Sequence, residues 1–410
     1  MNLTQSTRTA AIVSRQRLVG RTNGSSAYLL DLAETMRAAG LAVHLLQPTP
    51  NVTGRWPVLA CRAELGVFAS HRIRGLFRVG NLFISRSPKV WAAAGWAVIG
   101  RLMRKAGVTH RLFADRPFGY VVAEPWTEAD LRWLRRHAPE ADVAIADYMF
   151  CAPGFASLPG SPRTAIVMHD LFHSRAGAVG DTVAAVTRDD ELAMLARAQA
   201  VIAIQASEAA FVAEHLPASE VLLAPMAAAI SARVAVGEDD RLLFVGSGTG
   251  PNVEGLRWFL EQAWPRLRAL RPEIALDVAG TVGWSFAGET WPGVRFLGMI
   301  DDLEPLYAAA GVVMSPLTFG SGLKIKLIEA MARGKAIVAT PVTLQGVEAE
   351  AGDAVVCTDD PVAFADGIAR LAGDGAARGH LAEAALAAAR AHFGRETCHA
   401  TFAAWLARSG

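Results

Sequence analysis

Short apolar runs alternate with segments of helical period along almost the whole chain, and the series starts over near the middle. Ala10–Val13, Ala42–Leu46, Val143–Ala146, Ala165–Met168 and Val201–Ile204 read as strands in the first half. Leu242–Val245, Ile274–Val278, Val294–Leu297, Val312–Met314, Ala336–Ala339 and Ala354–Val356 do so in the second. The segments between them, such as Tyr28–Ala39 and Gly255–Leu270, repeat apolar residues at helical spacing. Strands that are apolar from end to end need cover on both faces, so strands joined by helices mean parallel sheets. The expected fold is α/β, with two doubly wound domains. The boundary falls in the Ala-rich segment near Met226–Glu238, giving domains at 1–228 and 229–390. A last helical segment at 391–410, broken near Gly394, is placed to pack back on the first domain. Two domains of this class leave a cleft at the carboxyl ends of their strands, where ligands bind.

A length of 410 residues exceeds one ordinary core. Hydrophobic content of 52% and charge of 19% exclude a disordered chain. The net charge of +1 hides an asymmetry: residues 1–170 hold 21 Lys+Arg against 11 Asp+Glu, and the remainder 19 against 28. Cys61, Cys151, Cys357 and Cys398 are widely spaced and form no C-x-x-C, which points to a reducing, cytoplasmic setting. Met1–Ala10 has no apolar core of signal-peptide length, and the longest uncharged apolar run, Val90–Gly100, is too short to span a bilayer.

Lysine is rare, occurring only at 89, 105, 324, 326 and 335, and three of these lie in Gly320–Lys335. Gly320, Ser321 and Gly322 follow the strand Val312–Met314. Leu323, Leu327 and Met331 then recur every four residues as one buried helix face. A Gly-rich turn, a helix N-terminus and nearby ammonium groups suit a phosphorylated ligand. Lys324 at the turn and Lys326 in the first turn would meet phosphate oxygens, and Glu329 would accept bonds from vicinal hydroxyls such as those of a ribose. The bland alternative is an exposed helix with an i,i+3 Lys326–Glu329 pair. Gly246, Gly248, Thr249 and Asn252 form a second glycine loop after a strand. Pro251 stands where G-x-G-x-x-G needs its third glycine, so a generic phosphate or sugar loop and a plain turn with Asn252 capping the helix stay equally open.

His169 and Asp170 follow a strand, where a histidine can bond a sugar hydroxyl or steady a charge. His173 adds only a second potential metal ligand, which does not make a site. The chain contains no D-x-D for a divalent ion, which favours neutralising a diphosphate with cations and helix dipoles and predicts no metal and no cofactor. From about 65 to 113 there is no Asp or Glu. Arg72, Arg74, Arg78, Arg86, Lys89, Arg101, Arg104, Lys105 and Arg111 interleave there with Phe68, Phe77, Phe83, Trp91 and Trp96. This basic, apolar excursion suits a helix on an anionic membrane surface, or one packed on its own domain. No nucleic-acid motif accompanies it.

The second half resembles the donor-binding domain of the retaining family 4 glycosyltransferases, which have the GT-B fold of two Rossmann-like domains. The likeness rests on Phe244-Val245-Gly246-Ser247, Pro251-Asn252, Asp277-Val278-Ala279-Gly280, Phe296 to Leu303 and Tyr307-Ala308. It continues through Pro316, Gly320 to Gly334, Ile337 to Thr340 and Gly346-Val347, covering about 242–372. Gly24, Asp142 to Tyr148, His169-Asp170 and Glu191 to Glu208 match more loosely. The resemblance implies a nucleotide-sugar donor, with Glu329 at its ribose, Lys324 and Lys326 near the diphosphate, Met299 at the base and His169 beside the sugar. It also implies front-face transfer with retention to a glycan or lipid-linked acceptor, in surface polysaccharide or glycoconjugate synthesis, with no protein nucleophile. Two positions depart from the pattern. Ser321 stands where a glutamate is usual, eight before Glu329, and the usual Arg and Lys after the first donor-domain strand are replaced around Gly248 and Glu254. The phosphate role then falls on Lys324 and Lys326. A nucleotide-sugar epimerase and a non-catalytic module binding nucleotide sugar or membrane are the competing readings.

Overall fold

The structure is a computed structural model that describes residues 8–22, 24–53, 56–106, 122–175, 184, 186–300, 302–320 and 323–408. It divides into two units, Met1–Pro225 with His399–Gly410, and Met226–Cys398.

Among the described residues the first unit carries ten strands: β1 (Thr9–Val13), β2 (Ala42–Gln47), β3 (Val58–Ala60), β4 (Ser70–Ile73), β5 (Leu76–Val79), β6 (Leu82–Ser85), β7 (Val143–Asp147), β8 (Arg163–Val167), β9 (Ala200–Ala203) and β10 (Glu220–Leu223). Seven form a sheet in the order β10-β9-β8-β7-β1-β2-β4, all parallel. β7 and β9 are buried along their whole length, as strands covered by helices on both faces must be. The helix Ala400–Ala407 returns to this unit, where Thr401 Oγ1 donates to the Leu223 carbonyl at 2.6 Å.

The basic excursion departs from the helical reading of 65–113. Its first third is sheet: β5 and β6 pair antiparallel through the turn Gly80-Asn81, and β6 pairs β3. Gly80 has φ +59°, the left-handed value a two-residue hairpin turn demands. β6 buries Phe83 and Ser85 and turns Leu82 and Ile84 outward, a period of two that its arginine-rich surroundings conceal. Among the described residues of this span the α-helix is Pro88–Lys105, and a 3₁₀ turn, Ala63–Val67, precedes the strands. Residues 107–113, including Arg111, lie outside the described residues.

Among the described residues the second unit has six parallel strands: β11 (Arg241–Val245), β12 (Ala275–Ala279), β13 (Val294–Gly298), β14 (Val312–Ser315), β15 (Ala336–Ala339) and β16 (Val356–Cys357), in the order β13-β12-β11-β14-β15-β16. Alternate residues enter opposite cores. Leu242, Phe244, Val312 and Met314 meet the helices Gly250–Trp258 and Pro361–Gly373. Leu243, Val313, Ile337 and Ala339 meet Ile325–Ala332 and Gly375–His392 on the other face. The expected helix over 255–270 is interrupted by a π-helical stretch, Phe259–Ala263. Pro265 lacks an N–H and its ring crowds the carbonyl four residues back, which accounts for the slip.

Strand order reverses between β11 and β14, so the loops after these two strands flank a crevice at the carboxyl edge. Backbone contacts only glycine permits hold these loops. A Cβ on Gly280 would lie 2.1 Å from the Gly246 carbonyl oxygen, and one on Gly255 2.6 Å from that of Pro316. Gly280 also has φ +103°. Gly280→Ala is expected to destabilise the unit by about 3 kcal/mol or more, combining left-handed strain with a backbone clash. Gly288→Ala, at φ +90° with nothing within 4 Å, should cost about 1–2 kcal/mol from strain alone. Urea unfolding of the two variants side by side checks this, and equal costs would show that the close approach carries no weight.

Candidate functional site

In the second unit the loop after β11 is knit by its own side chains. Gly246 N–H donates to the Ala279 carbonyl at 3.0 Å, and Gly248 N–H to Thr281 Oγ1 at 2.8 Å. Thr249, not Asn252, is the N-cap residue of the helix Gly250–Trp258. Asn252 stands in the first turn and donates back to Ser247 Oγ (3.1 Å) and Thr249 Oγ1 (3.0 Å). The loop after β14 closes on the same helix: a Cβ on Gly320, at φ +132°, would touch Pro251 at 3.4 Å. The structure therefore brings Gly246, Gly248, Thr249, Asn252 and Gly320 to one edge. Ser321 and Gly322 lie outside the described residues.

The helix Ile325–Ala332 starts from this loop. Leu327, Ile328 and Met331 are buried in the core, and Leu323 packs against the same cluster, so its side chain is structural. Lys324 is the N-cap residue and half-buried, and burial lowers its ammonium pKa. Lys326 Nζ donates to Glu329 Oε2 at 2.8 Å. These two are paired with each other, as the bland reading anticipates, yet both remain partly exposed at the edge where phosphate and ribose roles would place them. Lys335, the third lysine of the stretch, faces inward: it is 1% exposed and Nζ donates to the Ala235 carbonyl at 2.5 Å. Met299 follows Gly298 after β13 and is 69% exposed.

Sequence reasoning missed what lies beside Glu329. Tyr307 is buried under the Arg333 guanidinium, 4.5 Å from ring centroid to Cζ, and its hydroxyl has no partner among the described residues. Burial, with Glu329 nearby, pushes its phenol pKa up. Arg333 donates onward to Glu304 Oε1 at 2.8 Å and to the Glu329 carbonyl at 3.2 Å.

In the first unit the strand order reverses between β1 and β7, and a polar knot sits there. Asp147 ends β7 with no exposure. Its Oδ2 accepts from Ser14 Oγ (2.5 Å) and Gln16 Nε2 (2.7 Å), and its Oδ1 bonds His169 Nε2 at 2.7 Å. That bond keeps the proton of a neutral ring on Nε2 and leaves Nδ1 as the acceptor. Tyr148 stacks on His169 at 3.9 Å and Tyr28 meets it edge-on at 5.9 Å. Tyr148 (φ +72°) and His169 (φ +58°) both hold left-handed backbone, a strain found where surrounding structure fixes a functional group. Sequence spacing gave no sign of Asp147 as the partner of His169, nor of Ser14 and Gln16 as partners of Asp147. Asp170 turns back on its own backbone, Oδ1 accepting from Leu171 N–H at 2.9 Å. His173 Nδ1 is bound by buried Glu191 at 2.7 Å. Gly24 opens the helix Gly24–Ala38.

Residues 239–374 match the family model for glycosyl transferases group 1. An uncharacterised 44.6 kDa protein of the cps region in Klebsiella pneumoniae is 27% identical over 135 residues, 30% of this chain and 35% of that protein. The chain thus matches about a third of the length of its curated relative. Among solved structures, TarM of S. aureus superposes at TM-score 0.63 with 9% identity, covering 98% of this chain and 100% of that one. Sucrose-phosphate synthase from Thermosynechococcus elongatus gives 0.57 and 17%, covering 97% and 98%. HepE of Anabaena, in complex with UDP and glucose, gives 0.58 and 14%, covering 97% and 99%. At these identities the likeness is one of fold: two Rossmann-like α/β domains of the GT-B class.

Two outcomes test the local chemistry. Asp147→Asn keeps the shape of the side chain but removes the charge and confronts Gln16 with a second donor. We expect the downfield Nε2–H resonance of His169 in histidine-labelled protein, identified by its loss in His169→Gln, to move upfield, with about 3 kcal/mol of stability lost. An unmoved resonance would separate Asp147 from His169. For Lys335, burial lowers the ammonium pKa to about 8 from 10.5, so between those values the unfolded chain binds more protons and stability rises with pH. Wild type should gain on the order of 3 kcal/mol relative to Lys335→Met from pH 8 to 10.5; a constant difference across that window would contradict this.

Proposed function

We propose that the chain is a glycosyltransferase that moves a sugar from a nucleotide-diphosphate sugar to a glycan or lipid-linked acceptor in polysaccharide or glycoconjugate synthesis. The observation that carries this is the glycine turn and cationic helix start of Gly320–Glu329, at the reversal of strand order and inside the matched segment. UDP accompanies the structurally similar HepE, which supports a nucleotide-bound donor here. We assign the diphosphate to Lys324, Lys326 and the helix N-terminus, in place of a divalent ion. The ribose goes to Glu329 and the base to the backbone beside Met299. His169, with Nδ1 as acceptor, is assigned to a hydroxyl of the transferred sugar. Transfer proceeds on one face with retention, the leaving phosphate taking the acceptor's proton. The work is done at the inner face of a membrane, to which the basic first half draws the protein.

Lys326 is exposed and half of an i,i+3 pair worth about 0.3 kcal/mol, so Lys326→Ala leaves folding intact. It should weaken donor binding at least tenfold in a thermal-shift and calorimetric screen of UDP, GDP, ADP, dTDP and CMP sugars. Normal donor binding by the variant would remove the phosphate assignment. With donor alone, wild type should slowly release nucleoside diphosphate. Appearance of an epimeric nucleotide sugar would mean an epimerase, and binding with neither product a non-catalytic module.

A further inference from the structure

The arginines that give the excursion its charge are largely occupied. Arg74 pairs with buried Asp130 at 2.8 Å and donates to the Pro48 carbonyl. Arg72 donates to the His137 carbonyl and Arg78 to that of Gly80, while Arg78 and Arg86 lie over Phe83 and Phe77. The helix Pro88–Lys105 is different. Gly100 is buried and Met103 half-buried, and a strip along the helix has Ala94 buried and Val90 and Ala97 half-buried. At about 100° per residue these three fall within about 60° of one another. Over about 160° of the rest of the circumference lie Trp91, Trp96, Val98, Ile99 and Leu102, all exposed, Trp96 by 51% and Leu102 by 61%. Lys105 borders this apolar sector on one side and Lys89 on the other, while Arg101 falls over the strip of Val90, Ala94 and Ala97. The helix contains no acid. Among the described residues no helix is long and apolar enough to cross a membrane.

We propose that this outward face of Pro88–Lys105 inserts into the headgroup region of an anionic phospholipid bilayer, its axis parallel to the surface. The proposal rests on the membrane reading above and deepens it by naming the element and the mode. An apolar sector with aromatic rings seats at the headgroup–acyl boundary, and flanking cations reach lipid phosphates alongside. Nucleic acid offers the phosphates but no partner for the apolar face. A helix of 18 residues is about 27 Å long, enough to lay both tryptophans and Leu102 on one surface.

Sedimentation of the full chain with vesicles of phosphatidylglycerol and phosphatidylcholine, and with phosphatidylcholine alone, tests it. Wild type should bind the anionic vesicles and keep part of that binding at 0.5 M salt. A Trp96→Ser/Leu102→Ser variant, altered only at exposed positions, should bind at least about tenfold more weakly and lose the salt-resistant part. Replacing Arg72, Arg78 and Arg86 with glutamine should leave the salt-resistant part in place. Brominated lipid should quench wild-type tryptophan fluorescence more than that of Trp96→Ser. If wild type ignores vesicles, the membrane reading falls and this inference with it. If the Ser variant binds like wild type, the membrane reading stands and the helix is not its anchor. A wild-type dimer in light scattering that the Ser variant dissolves would make the face a contact between copies instead.

Discussion

Backbone pressed against backbone, where no side chain can intervene, is the constraint on which the second unit depends. The Gly246–Gly280 and Gly255–Pro316 approaches bring the loops after β11, β12 and β14 closer than any Cβ allows. Two more sit at the opposite edge: a Cβ on Gly237 would lie 2.0 Å from the Ala310 oxygen, and one on Gly311 2.2 Å from the Glu238 oxygen. The sheet is thus pinned at both ends around its central strand. At the carboxyl edge, loops that cannot drift apart hold the Lys324 turn beside the helix Gly250–Trp258, where the proposed donor site needs it.

The first unit solves the same problem with charge. A carboxylate as buried as Asp147 is tolerated only when its lone pairs are answered, and three side chains answer them. Once there, it dictates the orientation of His169 from below while Tyr148 and Tyr28 bracket the ring. Left-handed backbone at both Tyr148 and His169 is the local cost, offset by that network. Rigid glycine contacts in one unit and a satisfied polar knot in the other are two routes to a preorganised edge.

The sheets were legible because a strand covered on both faces leaves a mainly apolar run, and eleven runs of this kind, three of them broken by His44, Asp277 and Arg295, fall within three residues of strands β1, β2, β7 to β9 and β11 to β16. β3, β4, β5, β6 and β10 escaped notice: they are short, half-exposed, and β4 to β6 are set among arginines whose charge says nothing of period. The lysine-bearing stretch was legible since rarity in an arginine-rich chain marks it, though Lys335 shows that rarity does not distinguish a ligand-facing amine from one directed at a carbonyl. Asp147 was illegible in principle. Its partners come from two other strand ends, Ser14 and Gln16 after β1 and His169 after β8, and only the sheet order makes them neighbours.

The charge asymmetry of the sequence also acquires a physical division of labour. Arginines bonded to carbonyls, as Arg72 and Arg78 are, keep their full charge, since a carbonyl neutralises nothing. Only pairs such as Arg74–Asp130 cancel locally. A basic field therefore persists over a surface whose side chains are already committed, and it acts over about 8–10 Å at physiological salt. Such a field can draw the protein toward an anionic surface but cannot hold it there once counterions compete. Retention needs apolar area, which the same segment supplies on the one helix face turned away from the fold. On the proposed membrane docking, attraction by the field and anchoring by Trp96 and Leu102 are separable, and salt separates them.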